Sequence, residues 1–352
     1  MSRDFRLAIL SDVHYAAAAE QVAGDDYEIQ ALPNPCLRLL VRGYRRYIWL
    51  RHPLRHNGQL DRFLAEVGPV DYAIANGDYS CNVAAVGVGD EAAFQSAREC
   101  LDRLRARFGD RLLANLGDHE LGKLRLMGTR GGMRLASWRR ATQPLMSVAN
   151  PSPRLADMNP SLAAAAEPEP GLELRPFWRL ELGNYVLLNV VSTLAALPVF
   201  ERDMLPAERP AWEKLREAHL AEVRAAFTAL EPRQRVLLFC HDPTALPFLW
   251  RDDAIREKLP QLEQTIIGHL HSILFLRLSR FLSGMPVLNF LGGSVRKLST
   301  ALHQARDWRP FRVRLCPALA GIELLKDGGY LTVDLDGKAR RPARFQFHPL
   351  PR

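Results

Sequence analysis

The stretch Leu116-Gly117-Asp118-His119-Glu120 follows a short apolar run, Arg111-Leu112-Leu113-Ala114-Asn115. An apolar run that leads through a glycine into acidic and imidazole side chains indicates a buried strand with polar groups at its carboxyl end. Open α/β sheets bind their ligands at such strand ends. The stretch therefore predicts an α/β fold with a functional site beside Asp118 and His119.

Four other segments repeat this pattern. Together the five segments contain five of the ten histidines of the chain, so we expect them to form one site. The four segments are Ala8-Ile9-Leu10 before Ser11-Asp12-Val13-His14, Tyr72-Ala73-Ile74-Ala75 before Asn76-Gly77-Asp78, Val236-Leu237-Leu238-Phe239 before Cys240-His241-Asp242, and Thr265-Ile266-Ile267 before Gly268-His269-Leu270-His271.

The residue types at these strand ends indicate a metal site. Carboxylates mixed with imidazoles suit borderline divalent ions such as Mn, Fe, Zn or Co, whereas structural zinc recruits cysteine pairs and the five cysteines show no paired spacing. In an extended segment, His269-x-His271 would point both imidazoles the same way. Seven candidate ligands suit two ions better than one. They are Asp12, His14, Asp78, Asp118, His241, His269 and His271.

The combination of these segments resembles the calcineurin-like metallophosphoesterase superfamily. The resemblance spans residues 12–271 and implies a four-layer α/β/β/α sandwich that binds two divalent metal ions. The matching motifs are Asp12-x-His14, Gly77-Asp78, Gly117-Asp118-His119-Glu120, His241 and Gly268-His269-x-His271.

The resemblance also implies a role for each residue. Asp12, His14 and His271 would hold one metal, and Asp118, His241 and His269 would hold the other. Asp78 would bridge the two ions, and a bridging hydroxide would attack phosphorus. His119 would be the catalytic residue that stabilises the charged oxygens and helps to protonate the leaving group.

Two positions depart from the family pattern. Family members usually carry asparagine where this chain has Asp118, so an extra negative charge lies beside the second metal. They often carry an aspartate, the partner of the catalytic histidine, where this chain has Cys81. We expect that partner to come from elsewhere, with Glu120 and Asp242 as candidates. Neither departure removes a type of metal ligand, so we expect reduced or retuned activity rather than its loss.

The length and composition of the chain favour one large domain. It has 352 residues, of which 47% are hydrophobic, so we expect a single domain over residues 1–352. Insertions are expected at about 16–60 and 141–175, and C-terminal strands within about 286–348. Helices are predicted from Asp90 to Gly109 and from Pro210 to Leu230, a hairpin at 178–189, and tail strands at 287–290, 321–325 and 330–333.

Two segments combine apolar and basic residues and indicate which surfaces bind a partner. Residues 36–51 form a basic amphipathic pattern, typical either of a membrane-surface or anion-binding helix or of a surface helix packed on the core. Residues 273–282 are either a buried helix turn or an apolar rim beside the site. We expect contact with a membrane surface through 36–56 and 273–284. The chain shows no signal peptide and no membrane span, so we expect a cytoplasmic protein peripheral to a membrane, with reduced cysteines.

The leading functional hypothesis is a metal-dependent hydrolase of phosphoesters, with an amphiphilic, lipid-linked substrate favoured by the basic and apolar segments. A second hypothesis is a nucleotide or nucleic-acid phosphodiesterase that uses the basic residues between Arg296 and Arg314 to follow a phosphate backbone. A third, from another class, is a metal- and anion-binding protein without turnover. Manganese, phosphodiester substrates and the oligomeric state stay open at this point.

Overall fold

The computed structural model describes residues 3–25, 29, 34–81, 87–123, 132–142, 176–289 and 293–350. In this part of the chain the protein is a mixed α/β structure with two five-stranded sheets, which confirms the predicted α/β class. Most of the predicted insertion 141–175 lies outside the described residues.

Five of the ten described strands end at the segments singled out above. The carboxyl ends predicted for the five apolar runs are confirmed, because each run forms a strand that stops just before its polar residues. The strands are β1 Phe5–Leu10, β2 Tyr72–Ala75, β3 Leu112–Ala114, β4 Arg179–Leu182, β5 Tyr185–Val190, β6 Arg235–Cys240, β7 Leu262–Ile267, β8 Val313–Leu315, β9 Gly329–Leu335 and β10 Arg344–Pro349.

The two sheets have similar topology. The first has the order β10-β9-β1-β2-β3, in which β1, β2 and β3 are parallel and β9 and β10 are antiparallel additions. The second has the order β4-β5-β6-β7-β8, in which only β4 is antiparallel to its neighbour. Each sheet therefore has several parallel strands whose carboxyl ends meet at one edge.

The helices differ widely in length. The described helices are α1 Ala18–Ala23, α2 Pro35–Tyr47, α3 Asn57–Glu66, α4 Glu91–Phe108, α5 Asp118–Leu121, α6 Leu135–Arg140, α7 Ser192–Ala195, α8 Arg209–Thr228, α9 Leu246–Trp250, α10 Asp253–Lys258, α11 Ile273–Phe281 and α12 Gly293–Gln304.

Helix α4 joins β2 to β3 as the sequence predicts. Asp90 caps it by accepting a hydrogen bond from Ala93 N at 3.0 Å, and Gly109 ends it at a φ of 56°, a conformation that glycine adopts at little cost. Its apolar stripe, which includes Leu101 and Leu104, is buried. The predicted βαβ unit is therefore confirmed.

Three large hydrophobic clusters among the described residues hold the fold together. One contains residues of both sheets, among them Leu7, Ile74, Leu187 and Phe239. A second joins the first sheet to α4, and a third joins the second sheet to α8. Burial of large apolar side chains is the main stabilising contribution to such a fold.

Several predicted elements agree with the structure and others do not. The hairpin is confirmed as β4 and β5, and the long helix is confirmed as α8, which ends two residues before the predicted Leu230. Tyr330 to Val333 lies within β9. The tail strands at 287–290 and 321–325 are wrong: 287–289 is irregular, 321–325 forms turns, and Phe290 is outside the described residues.

The two segments predicted to contact a membrane are both helical. Helix α2 begins after Asn34, whose side chain caps Cys36 N and Leu37 N, and ends at Tyr47 rather than at Arg51. None of its residues is fully buried, while Leu37 and Val41 on its apolar side are half-buried, so both predictions for this helix stay open. Helix α11 buries only Leu276, so it is not a buried helix turn. Within the part of the chain that the structure describes, every helix is too short or too polar to cross a membrane.

Candidate dinuclear metal centre

Loops that follow β1, β2, β3, β6 and β7 bring the predicted site residues together. Backbone pairing continues past the strands, since Asp12 N donates to Gly77 O at 3.0 Å and Gly268 N donates to His241 O at 2.9 Å. Two contacts join the sheets: His241 Nδ1 donates to the Asn76 carbonyl at 2.6 Å, and His269 N donates to the Asp12 carboxylate at 3.1 Å. The site therefore lies where the carboxyl edges of both sheets meet.

The glycines of the motifs permit this close approach of the loops. A Cβ atom on Gly117 would collide with the Asp78 carboxylate and would lie 2.5 Å from Asp78 N. On Gly268 it would collide with Ser11 Oγ and lie 2.5 Å from Asp12 Oδ2. Gly77 has a φ of 96° and would place a Cβ 2.6 Å from Gly117 N. These positions require glycine for the space it leaves at the ligand loops.

Five of the predicted ligands adopt left-handed backbone conformations, with φ between 50° and 58°. They are Asp12, His14, Asp78, His269 and His271. This conformation costs about 1–2 kcal/mol per residue, and such strain concentrates at functional sites. The prediction of an extended His269-x-His271 segment is wrong, because both residues lie in this region after β7 has ended. The two imidazoles consequently enter different ligand clusters.

The first cluster offers four ligand atoms. One donor atom each of Asp12, His14, Asp78 and His271 lies within 4.8 Å of all the others, and all four residues are buried. His14 Nδ1 is 3.3 Å from the Ser80 carbonyl, a contact that fixes Nδ1 as the donor and leaves Nε2 available to a cation. The cluster combines two carboxylates with two imidazoles.

The second cluster offers the same combination. Asp78, Asp118, His241 and His269 each place a donor atom within 4.8 Å of the others. His241 Nε2 lies 3.1 Å from Asp118 Oδ1 and 3.1 Å from Asp78 Oδ2, and His269 Nδ1 lies 2.8 Å from Asp118 Oδ1. Asp78 belongs to both clusters, so its carboxylate is placed where a bridging ligand would be.

The electrostatics of the clusters favour bound cations. Burial, with the neighbouring His119, lowers the pKa of His14 to about 3, so its imidazole is neutral and can donate a lone pair. Burial raises the pKa of Asp12 to about 6, an effect that His241 partly offsets. Burial opposes the charged form of His241 as well, but Asp78 and Asp12 outweigh it and hold the pKa of His241 well above its usual range. The crowded carboxylates therefore favour protonation of the groups beside them. A bound metal ion would neutralise the same negative charge.

The donor atoms fit the predicted metals. His14 Nε2 is buried and has no hydrogen-bond partner among the described residues, and His271 Nε2 lies 3.1 Å from Asp12 Oδ1 in the same cluster. A buried polar atom without a partner is unfavourable by about 1–3 kcal/mol, so a cation between these atoms would stabilise the loops. Mixed nitrogen and oxygen donors suit Mn, Fe, Zn or Co.

His119 lies beside both clusters and belongs to neither. Its backbone N donates to Asp78 Oδ1 at 2.9 Å, and its Nε2 is 3.8 Å from Asp78 Oδ2. Its Nδ1 is buried, and no described residue accepts a hydrogen bond from it. The imidazole is therefore near enough to reach a group bound at the two clusters.

Glu120 and Asp242, the candidate partners of His119, are engaged with other groups. Glu120 accepts hydrogen bonds from the backbone N–H groups of Gly117, Asp78 and Tyr79 at 2.8, 3.1 and 2.8 Å, and thereby fixes the loop that carries Asp78. Burial, with the nearby Asp78, raises the pKa of Glu120 to about 7. Asp242 accepts from Thr244 N at 2.9 Å. Each carboxylate orders a turn.

Sequence reasoning missed Lys123. Its Nζ lies 2.5 Å from Asp242 Oδ2 and 3.4 Å from Asp118 Oδ2, and its side chain is 4% exposed. Gly122, in the left-handed conformation, ends α5 and turns the chain so that Lys123 reaches the site. A lysine five positions after an unusual aspartate is the signal that could have identified it.

Trp49 is a second residue whose position the sequence did not reveal. It follows α2, and its ring centroid lies 3.9 Å from that of His271 and 6.1 Å from that of His14. Its backbone accepts a hydrogen bond from Glu323 N. The end of the basic helix is therefore placed directly against the first ligand cluster.

A known protein structure is similar to this chain. No family model matches the chain, and no curated protein matches it. Among solved structures, the chain is similar to phosphopantetheinyl hydrolase from Mycobacterium tuberculosis, with 14% identity, a TM-score of 0.36, and coverage of 77% of this chain and 84% of that chain. A TM-score this low does not establish a shared fold, so the geometry of the clusters alone carries the functional assignment.

Proposed function

We propose that this protein is a metal-dependent hydrolase of phosphoesters. The observation that carries the proposal is the pair of four-residue clusters that share Asp78. Two divalent ions held by these clusters would supply positive charge for the phosphoryl oxygens and would activate water at neutral pH. Asp12, His14 and His271 would hold one ion, and Asp118, His241 and His269 the other.

The protein's own residues would orient the phosphoester and manage its protons. His119 is close to the shared carboxylate but is not part of a cluster, which suits a group that contacts a phosphoryl oxygen or protonates the leaving group. Without a carboxylate at Cys81, its orientation rests on its backbone and on its ring contact with His14, at a centroid distance of 4.7 Å. We infer that activity tolerates the departure at Cys81.

We also infer the predicted four-layer α/β/β/α sandwich within a single domain. The hydrophobic cluster shared by the two sheets and the two sheet–helix clusters support this arrangement. In such a sandwich both sheets present their parallel strand ends to one side, where a single large site can form.

The surface beside the site supports an amphiphilic substrate. Helices α2 and α11 expose apolar side chains that we call the apolar rim: Leu39, Leu40, Tyr44, Tyr47, Ile273, Leu274, Leu278 and Phe281. Both helices reach the site at His271, since Trp49 contacts its ring and α11 begins two residues later. Phe281 is 85% exposed and Leu39 72% exposed, which is unusual for large apolar residues of a solvated surface.

We propose that the apolar rim contacts a membrane surface rich in anionic lipid, from a cytoplasmic location. Helix α2 carries Arg38, Arg42, Arg45 and Arg46, and basic residues beside an apolar helix face complement anionic headgroups. The substrate would then be a lipid-linked phosphoester whose phosphate reaches the metals past Trp49.

The alternative of a nucleic-acid phosphodiesterase receives less support. Of its basic residues, Lys297 contacts Asp203, Arg306 pairs with Asp307 at 3.8 Å, and Arg314 packs over the ring of Phe345 at 4.5 Å. Residues engaged in this way form a poor continuous track for a phosphate backbone.

The proposed function is tested by hydrolysis of chromogenic phosphomonoesters and phosphodiesters by the metal-depleted protein, reloaded in turn with Mn, Zn, Co, Fe and Mg. We expect turnover to depend on the added ion. Turnover that persists in chelator, without bound metal, would contradict the proposal. Bound metal without hydrolysis of any ester, including a detergent-dispersed lipid phosphoester, would instead favour the binding protein without turnover.

A further inference from the structure

Lys123 is the one lysine or arginine in the buried class of the described residues. Its ammonium group lies between two carboxylates, 2.5 Å from Asp242 Oδ2 and 3.4 Å from Asp118 Oδ2. The ring of Phe200, 5.4 Å from Nζ, covers another side. A lysine is rarely buried unless it is paired, and both of its partners lie at the second ligand cluster.

The two oxygens of Asp118 face different groups. Oδ1 is directed to the cluster, 3.1 Å from His241 Nε2 and 2.8 Å from His269 Nδ1. Oδ2 is directed to Lys123. Asp242 Oδ2 is 3.8 Å from His269 Nε2, so the same ammonium also engages a second carboxylate beside a candidate ligand.

We propose that Lys123 is a positioning residue that serves as a fixed counter-charge to Asp118 and Asp242 and thereby sets the affinity of the second metal site. This inference rests on the proposed function in one respect, that the two clusters bind divalent ions. Lys123 directs Asp118 Oδ1 toward the metal by holding Oδ2, and it keeps the ligand set stable in the absence of the metal.

The charge arrangement has two consequences for metal binding. A positive charge a few ångströms from a cation repels it, so Lys123 weakens binding of the second ion. The same charge stabilises the metal-free protein, since buried carboxylates without a cation are strongly unfavourable. Loss of the Lys123 charge should therefore tighten metal binding and destabilise only the metal-free form.

The test compares Lys123→Gln, which keeps a hydrogen-bond donor but loses the charge, with Lys123→Arg, which keeps the charge. Titration calorimetry of the full chain with Mn²⁺ or Zn²⁺ should show the second ion bound at least about tenfold more tightly by Lys123→Gln. Lys123→Arg should resemble the unmodified protein. Thermal unfolding should show a lower Tm for metal-free Lys123→Gln and a nearly unchanged Tm with both ions bound.

A combined variant removes the charges of both Asp118 and Lys123. Asp118→Asn alone should weaken the second site, and Asp118→Asn with Lys123→Gln should return its affinity toward that of the unmodified protein. Unchanged or weaker binding by Lys123→Gln, or an equal loss of Tm in both metal states, would overturn the counter-charge role. If the unmodified protein binds two ions while the Lys123 variants do not differ, only this inference fails. If it binds none, the proposed function fails with it.

Discussion

The ligand loops and the apolar rim lie side by side but are built on different principles. The loops are buried, carry left-handed residues and approach so closely that glycine is needed at Gly77, Gly117 and Gly268. The rim belongs to two helices that bury a single side chain between them, Leu276. A rigid site holds reacting groups in place, whereas an exposed apolar surface can engage a substrate or a membrane. We therefore infer that the loops carry out the chemistry, and we propose that the rim selects the substrate.

The largest effect is expected at the carboxylate that both clusters share. Asp78→Ala should lose both metals and lower turnover by at least about 10³-fold, because it removes a ligand from each cluster. Metal content and turnover measure the effect. Asp334→Ala is the matched control, since this aspartate is half exposed on β9 and pairs only loosely with Arg6, at 3.7 Å. If Asp78→Ala retained both metals, the assignment of Asp78 as a shared metal ligand would be wrong.

A second variant separates chemistry from metal binding within the loops. His119→Ala should lower turnover by about 10²–10⁴-fold while both metals stay bound, because His119 lies outside the clusters. Parallel kinetics and metal analysis provide the measurement. His348→Ala, which removes an imidazole from β10, should keep full activity. A full rate in His119→Ala would show that its assigned role is wrong.

The close packing of the loops predicts a loss of stability. Gly117→Ala should destabilise the protein by about 1–3 kcal/mol and weaken metal binding, because the new Cβ would displace Asp78. Denaturant unfolding measures the change. Gly58→Ala, at a helical position with open space around it, should be neutral or slightly stabilising. Equal stability of the two variants would contradict the packing at Gly117.

The smallest effects are expected at the rim. Leu39→Ser with Phe281→Ser should reduce binding to anionic vesicles by about threefold to tenfold, since each side chain contributes only part of its apolar area. Turnover of a short chromogenic ester should not change. Phe347→Ser replaces another exposed aromatic residue, on β10, and should leave vesicle binding intact. If Phe347→Ser reduced vesicle binding as much as Leu39→Ser with Phe281→Ser, the rim would bind vesicles no better than the remaining surface.

The sequence was sufficient to predict the ligand loops because their chemistry is local. Each apolar run is a strand, and each polar group follows directly at its carboxyl end, so β1, β2, β3, β6 and β7 and the α/β class could be predicted. The helix from Asp90 to Gly109 carries its own capping residues. Local patterns of this kind need no knowledge of distant contacts.

The other features depend on contacts between distant parts of the chain. The left-handed conformations of His269 and His271 arise where the loops of two sheets meet, so strand alternation gave the wrong geometry. Lys123 and Trp49 reach the site through turns whose direction no periodicity specifies. The turns at 321–325 resemble a strand in composition but pair with the end of α2, where Leu324 N donates to Ile48 O at 3.2 Å.

The most direct measurement is anomalous diffraction from crystals of the full chain grown with Mn²⁺ or Zn²⁺. The shared position of Asp78 predicts two anomalous peaks about 3.5–4 Å apart, one on each side of its carboxylate. The ligands of the two peaks should be those of the two clusters. A single peak, or peaks away from Asp78, would contradict the dinuclear centre on which the proposed function depends.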